Sequence, residues 1–382
     1  MAWLMPALFA LAAPVSAQRS PVLVQTGGVR VCPASDTGTL PDFTGPGCET
    51  TDLWSLDPQG RHLWVELGLE LTPADLAGPG PYGLQVVAKA SSLAWINGVA
   101  IGANGRPAGT ARDEVAGRMD AVFFVPRDTV HEGRNSVVLR MSSQQGAVRL
   151  AAPVHFIAFG PYHDPARRMI AAYWPSLITF GAFIMGALFF GGMALRGEDT
   201  EGSGLLSALA LFAALQLLAE VSRSLHPYLY PVHEWRLIAI LVCAYGFGLC
   251  LNAYLLLRLG DLGRRGRLAA LAVIALVMGT AVAGAPGFDG KTGYTLLLAS
   301  LAGLVTCGYG AWRRKPGGLA YLAVLGGYAA LLLVYPQLFL DNLFYFAAAA
   351  VLAWLVYRQA LTLVQERRQR RQEEMRAQRL ET

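Results

Sequence analysis

From residue 169 onward one long charge-free apolar run follows another, and this pattern limits what the chain can fold into. A soluble core has no use for repeated runs of about 20 apolar residues, whereas a hydrocarbon layer about 30 Å thick requires them. Seven runs can be marked, at 170–193, 205–219, 237–257, 268–288, 292–312, 317–340 and 342–357. The second is short and takes in Ser203 and Gly204. The seventh is extended by Arg358, whose stem can snorkel, and by 361–364. The connections are brief and leave no room for another folded domain between helices.

The first 165 residues are different, mixing polar and apolar types. Residues 1–17 read as a signal peptide: an apolar stretch, 4–13, precedes the small-x-small pattern Val15-Ser16-Ala17. The stretch is too short for a transmembrane span and is interrupted by Pro6 and Pro14, although no positive residue precedes it. Cleavage after Ala17 is expected, with export of the chain beyond it.

Charge gives the orientation. The net charge is +5, carried by arginine, since Lys89, Lys291 and Lys315 are the only lysines. With residue 19 outside, the inner segments hold Arg196; Arg258, Arg264, Arg265 and Arg267; Arg313, Arg314 and Lys315; then Arg358 and the tail arginines. The outer loops hold Arg223, Arg236 and Lys291, which is the positive-inside asymmetry. Arg167 and Arg168 run against it but come after a long exported segment. The expectation is a multi-pass protein of a bacterial inner membrane, N-terminal domain periplasmic and C-terminus cytoplasmic. Basic residues placed this way point to membrane lipid, and no direct nucleic-acid binding is expected.

Residues 19–165 read as a β-sandwich. Strand-like runs at 62–72, 82–89, 92–97, 120–126, 136–142 and 152–160 are separated by turn residues. Asn97-Gly98 favours a tight hairpin turn because both residues tolerate positive φ. About 140 residues suffice for one domain of eight to ten strands. Cys32 and Cys48 enclose a Gly/Pro/Thr-rich loop, and in an oxidising compartment a disulfide is expected there, with two free buried thiols as the alternative. Cys243, Cys250 and Cys307 lie in apolar runs and read as small buried hydrophobes.

The segment 94–105, Ala-Trp-Ile-Asn-Gly-Val-Ala-Ile-Gly-Ala-Asn-Gly, resembles the strand, Asn-Gly turn, strand signature of galactose-binding-like jelly rolls. Phe123-Phe124-Val125-Pro126, the run from Glu132 to Arg140, and Gly160-Pro161-Tyr162 continue the resemblance. With a signal peptide ahead and seven runs behind, residues 63–364 resemble the bacterial seven-transmembrane receptors with diverse intracellular signalling modules (7TMR-DISM). The resemblance implies an all-β jelly-roll periplasmic domain followed by an all-α seven-helix bundle at 169–364. It also implies a periplasmic ligand, in that family often proposed to be a carbohydrate, and a homodimer. The helices would relay to a cytoplasmic output domain: a histidine kinase, a diguanylate cyclase, a phosphatase or a DNA-binding module. No such domain is expected within these residues, so the chain reads as cut before it or as signalling through a partner. The tail, 365–382, is basic and rich in helix formers, and reads as a continuing signalling helix, a solvated helix or a disordered end.

Trp54, Trp95, Asn97 and Asn104 are the candidate ligand-binding residues, since aromatic faces suit sugar rings and short amides suit hydroxyls. Trp64 and Trp95 also read as core, and Asn97 as a turn residue. Glu220 and Asn252 are candidate relay residues because polar groups are scarce in the runs, as is Gln216. For Glu220 an ion pair with Arg223 is the plainer account. His226 and His233 lie in an outer loop and offer a pH response. The remaining histidines lack metal-ligand spacing, so no metal or other cofactor is expected.

The spans contain no clustered carboxylates and no Ser/His/Asp set, so an enzyme is not expected, and no lysine sits deep in a run to hold retinal. The alternative function is transport of a small solute with an exported accessory domain, for which Pro175 and Pro336 offer helix breaks.

Overall fold

The computed structural model describes residues 21–34, 39–78, 80–197, 199–335 and 338–357. The stretches read as signal peptide (1–17) and basic tail (365–382) lie outside the described residues, as do Arg358 and Pro336. The chain divides into two compact units. The first is Met1–Arg167 with Pro227–Glu234, and the second is Arg168–His226 with Trp235–Thr382.

The described residues of the first unit form ten strands: β1 (Val22–Leu23), β2 (Gly27–Pro33), β3 (Glu49–Asp52), β4 (His62–Leu71), β5 (Tyr82–Ala88), β6 (Ser91–Ile96), β7 (Val99–Asn104), β8 (Asp120–Val125), β9 (Gly133–Ser142) and β10 (Val154–Pro161). They form two antiparallel sheets, β1-β10-β5-β8 and β3-β2-β4-β9-β6-β7. Side chains alternate across a strand, so one face of each sheet is apolar. Val65, Leu67 and Leu69 of β4 and Val137, Leu139 and Met141 of β9 share one core with Leu84, Val86, Phe123, Ile157 and Phe159 of the other sheet. The β6–β7 turn falls on Asn97 and Gly98, with φ of 49° and 83°, the pair of positive values that a two-residue hairpin turn demands.

The opposite face of the six-stranded sheet carries a smaller cluster of Cys32, Trp64 and Val138, on which Phe43, Cys48 and Trp95 pack. A disulfide joins Cys32 to Cys48 and pins the intervening loop to this face.

Among the described residues of the second unit, five helices are long and apolar enough to cross a membrane: α1 (Pro165–Leu195, over its stretch Tyr173–Leu195), α2 (Thr200–Leu225), α3 (Tyr230–Leu259), α4 (Arg264–Gly284) and α5 (Gly287–Trp312). This is the make-up of a multi-pass membrane protein. Two shorter apolar helices come next, α6 (Gly318–Val334) and α7 (Phe344–Tyr357), separated by residues that include a π-helical turn, Phe339–Leu343. At 17 residues α6 measures about 26 Å, less than the hydrocarbon thickness, where the sequence marked a run to residue 340. Conversely, α2 outgrows the short run at 205–219 at both ends. Helix α1 continues through Pro175. Phe183, Phe190, Leu217, Phe247, Phe344 and Leu352 belong to the core of this unit.

Candidate functional site

Strand β5 ends at Ala88 and delivers Lys89 into the interior of the first unit, where 1% of the residue is exposed. An isolated ammonium would be costly there, but Lys89 has three oxygen partners. Lys89 Nζ pairs with the carboxylate of Glu234, also 1% exposed, and donates to Gln59 Oε1 at 2.8 Å and the Val148 carbonyl at 2.6 Å. Oε2 of Glu234 accepts the backbone N–H groups of Ala147 and Val148, both at 2.8 Å. A Cβ on Gly146 would lie 2.5 Å from both Glu234 Oε1 and Lys89 Nζ, so any larger residue in the β9–β10 loop would have to displace the pair.

The network extends outward through Gln59. Its Oε1 also accepts Leu150 N, and its Nε2 donates to Leu150 O and to Asp57 Oδ1. Arg149 closes on Asp57 Oδ2 at 2.6 Å. Burial pushes the Asp57 carboxyl up, but the side-chain and backbone hydrogen bonds from Gln59, with Arg149, outweigh it and hold the group below its ordinary value of 3.8.

A second buried carboxylate lies close by in the chain's loops. Glu114 accepts Ser142 Oγ and Tyr230 OH, each at 2.5 Å, and Gln144 N at 2.8 Å. The Tyr230 oxygen in turn accepts Gln145 N at 2.9 Å. Backbone bonds from Tyr230 N to Gly117 O and from Met119 N to Tyr228 O fix the same segment, and Val87, Met119 and Tyr230 form an apolar cluster around it. Tyr228 OH meets His233 Nδ1 at 2.7 Å, and the His155 ring lies edge-on to the same imidazole, ring centres 5.8 Å apart.

Residues 227–234, which the sequence marked as an exposed outer loop, are thus built into the β unit, and His233 is buried. Pro227 breaks the chain after α2, and α3 then starts at Tyr230. The first turn of α3 therefore carries both anchors, Tyr230 and Glu234, to Glu114 and Lys89. Because the ammonium and both carboxylates are partnered by protein groups, this arrangement holds a segment in place.

The residues picked as ligand-binding are spread out. Trp54 is 58% exposed in a 3-10 turn after β3, capped by Asp52, whose Oδ1 accepts Ser55 N at 2.9 Å. Trp95, on β6, is half-buried against Trp64 with ring centres 5.2 Å apart, and three strands separate it from β3. Asn97 donates to Thr129 O and Asn135 Oδ1 and accepts Ser136 N. Asn104 donates to Arg118 O and accepts Arg118 N. Both amides are engaged in holding loops.

In the second unit the Glu220 carboxylate pairs with Arg236 of α3. Arg236 also donates to the Ala219 and Glu220 carbonyls, bonding α3 to α2. Asn252, fully buried, donates to Gly248 O and Ala299 O and so bonds α3 to α5, while its own Oδ1 is unpartnered. Among the described residues no group of three or more His, Cys, Asp or Glu side chains could hold a metal ion.

Lys89, Glu114, Tyr230 and Glu234 were not singled out from the sequence. The available signals were slight: one of only three lysines closing a strand run, and a lone acid just ahead of an apolar run.

No protein-family model matches the chain, and no curated protein matches it. Among solved structures it is similar to a β-glucosidase from Kluyveromyces marxianus, 15% identical over 40% of this chain and 19% of that one, with a TM-score of 0.21. The chain thus spans about a fifth of that enzyme, and likeness at this level carries no argument about fold or function.

Proposed function

We infer that the protein is a membrane signal receptor. The β unit is a jelly-roll sensor on the periplasmic side of a bacterial inner membrane, exported by the signal peptide at 1–17. The apolar helices, seven in number when α6 and α7 are counted as spans, carry its state to a cytoplasmic output domain on the same polypeptide or a partner. The observation that supports this is the anchoring of the first turn of α3 inside the β unit by the Lys89–Glu234 pair and the Tyr230–Glu114 bond. A ligand that favours one arrangement of the loops around Lys89 has a direct handle on a long apolar helix, and differential affinity for two arrangements is all that signalling needs. The likeness to seven-transmembrane receptors over residues 63–364 supports the same reading and suggests a carbohydrate ligand and a dimer.

The test uses the full chain in nanodiscs, screened with soluble mono- and oligosaccharides. Hydrogen exchange is monitored at 143–150 and at the start of α3. A ligand that changes exchange in both places supports a receptor. Concentrative or facilitated solute uptake by vesicles containing the chain would replace this reading with a transporter.

A further inference from the structure

Helices α2, α3, α6 and α7 enclose an apolar cavity of about 330 Å³. Phe247 and Leu251 of α3, Leu206 of α2 and Leu352 of α7 line it, and small residues, Gly327 and Ala348, make the room. Among the described residues every lining side chain is aliphatic or aromatic, and Tyr254, Tyr321 and Tyr328 supply the side-chain hydroxyls. Water needs two to four polar partners, whereas even a dry apolar cavity of about 150 Å³ takes up hydrocarbon. The cavity opens sideways where Ala323, Val324 and Gly327 are exposed on α6, a face that meets hydrocarbon on the reading of α6 as a span proposed above.

One end is polar. The hydroxyls of Tyr254 and Tyr321 lie 3.3 Å apart, and one turn further along α3 the Arg258 guanidinium stacks 5.4 Å from the Tyr254 ring and pairs with Asp199. The loops gathered at this end are basic. Arg258, Arg267, Arg313 and Lys315 share Asp199, Glu201 and Asp261, and exposed Arg264, Arg265 and Arg314 add to them. Apolar body, lateral opening and cationic end describe the complement of an anionic phospholipid.

We propose that this cavity holds one acyl chain of an anionic phospholipid, with the headgroup at Arg258 and the tail running past Tyr254 and Tyr321 toward Phe247. The site gives the bundle a lipid ligand independent of anything bound by the β unit.

The full chain is equilibrated in nanodiscs containing equal phosphatidylglycerol and phosphatidylcholine, released gently, and weighed by native mass spectrometry. The expected result is one retained lipid per chain, with phosphatidylglycerol favoured on the order of fivefold, the effect of one arginine at a membrane surface. Gly327→Leu places its new side chain where a Cβ meets nothing within 4 Å, so it fills the cavity without a clash at that first atom and abolishes retention. Ala348→Leu narrows the same space from α7 and serves if the first variant does not fold. Arg258→Gln keeps the lipid and loses the preference. No retained lipid on the parent chain, retention undiminished in a folded cavity-filled variant, or an unchanged preference in Arg258→Gln would each overturn the proposal.

Discussion

Lys89 and Glu234 form an ion pair in which each residue is 1% exposed, one at the end of a strand and the other in the first turn of a helix that begins two apolar helices later. Removing one partner of such a pair leaves an uncompensated buried charge, at a cost of about 3–5 kcal/mol. Lys89→Met and Glu234→Leu are each expected to destabilise the β unit by that amount, while the double variant recovers most of the loss. Denaturant unfolding of the full chain, monitored by near-UV circular dichroism and closed as a double-mutant cycle, measures the coupling.

The Cys32–Cys48 bond closes a loop whose Phe43 packs near Trp64 and Trp95. A loop of about 15 residues is worth about 3 kcal/mol through the unfolded chain. Replacing both cysteines by serine lowers unfolding stability by about that much. It also exposes the tryptophan pair, seen as a red shift in fluorescence.

Asp57 gives the network an acid limit. Its carboxyl is held below its ordinary value, so its bonds to Gln59 and Arg149 contribute stability that is present above about 3.8 and is lost as pH falls through the lowered folded value. Amide protection at Gln59 and Leu150, taken relative to the intrinsic exchange rate at each pH, therefore falls as pH drops below about 3.8 in the parent chain. In Asp57→Asn protection is already reduced at neutral pH and changes less on acidification.

Asn252 bonds two helices in an apolar setting. Interhelical hydrogen bonds in membranes average about 0.6 kcal/mol and reach about 1.7. Asn252→Leu removes the bonds together with the unpartnered Oδ1, so the net loss stays under about 1 kcal/mol. A mild-detergent unfolding titration reads it, and a larger effect marks Asn252 as a relay contact.

The elements were largely legible in the sequence because they rest on periodicity. Alternation in 62–72 and 136–142 became β4 and β9, and Asn97-Gly98 became the hairpin turn. Short strands escaped: β1 has two residues, and β3, Glu-Thr-Thr-Asp, has no apolar face to announce it. The buried network was illegible for a different reason. Lys89 and Glu234 are polar residues at the margins of apolar runs, and from the sequence alone each reads as a solvated end. Only the register that brings 143–150 over them reveals the burial. Asn97 and Asn104 carry an ambiguity of another kind, since side chains suited to sugar hydroxyls suit loop carbonyls equally well, and both donate to such carbonyls.

The boundary between the two units falls within α3, between Glu234 and Trp235, so the β unit is not contiguous in the chain. Biosynthesis makes this consequential. When the last strand leaves the ribosome, Lys89 still lacks its carboxylate and Glu114 its phenol, because both arrive only after α1 and α2 have been made. The β unit is therefore completed last, by residues 227–234, which are made only after α1 and α2.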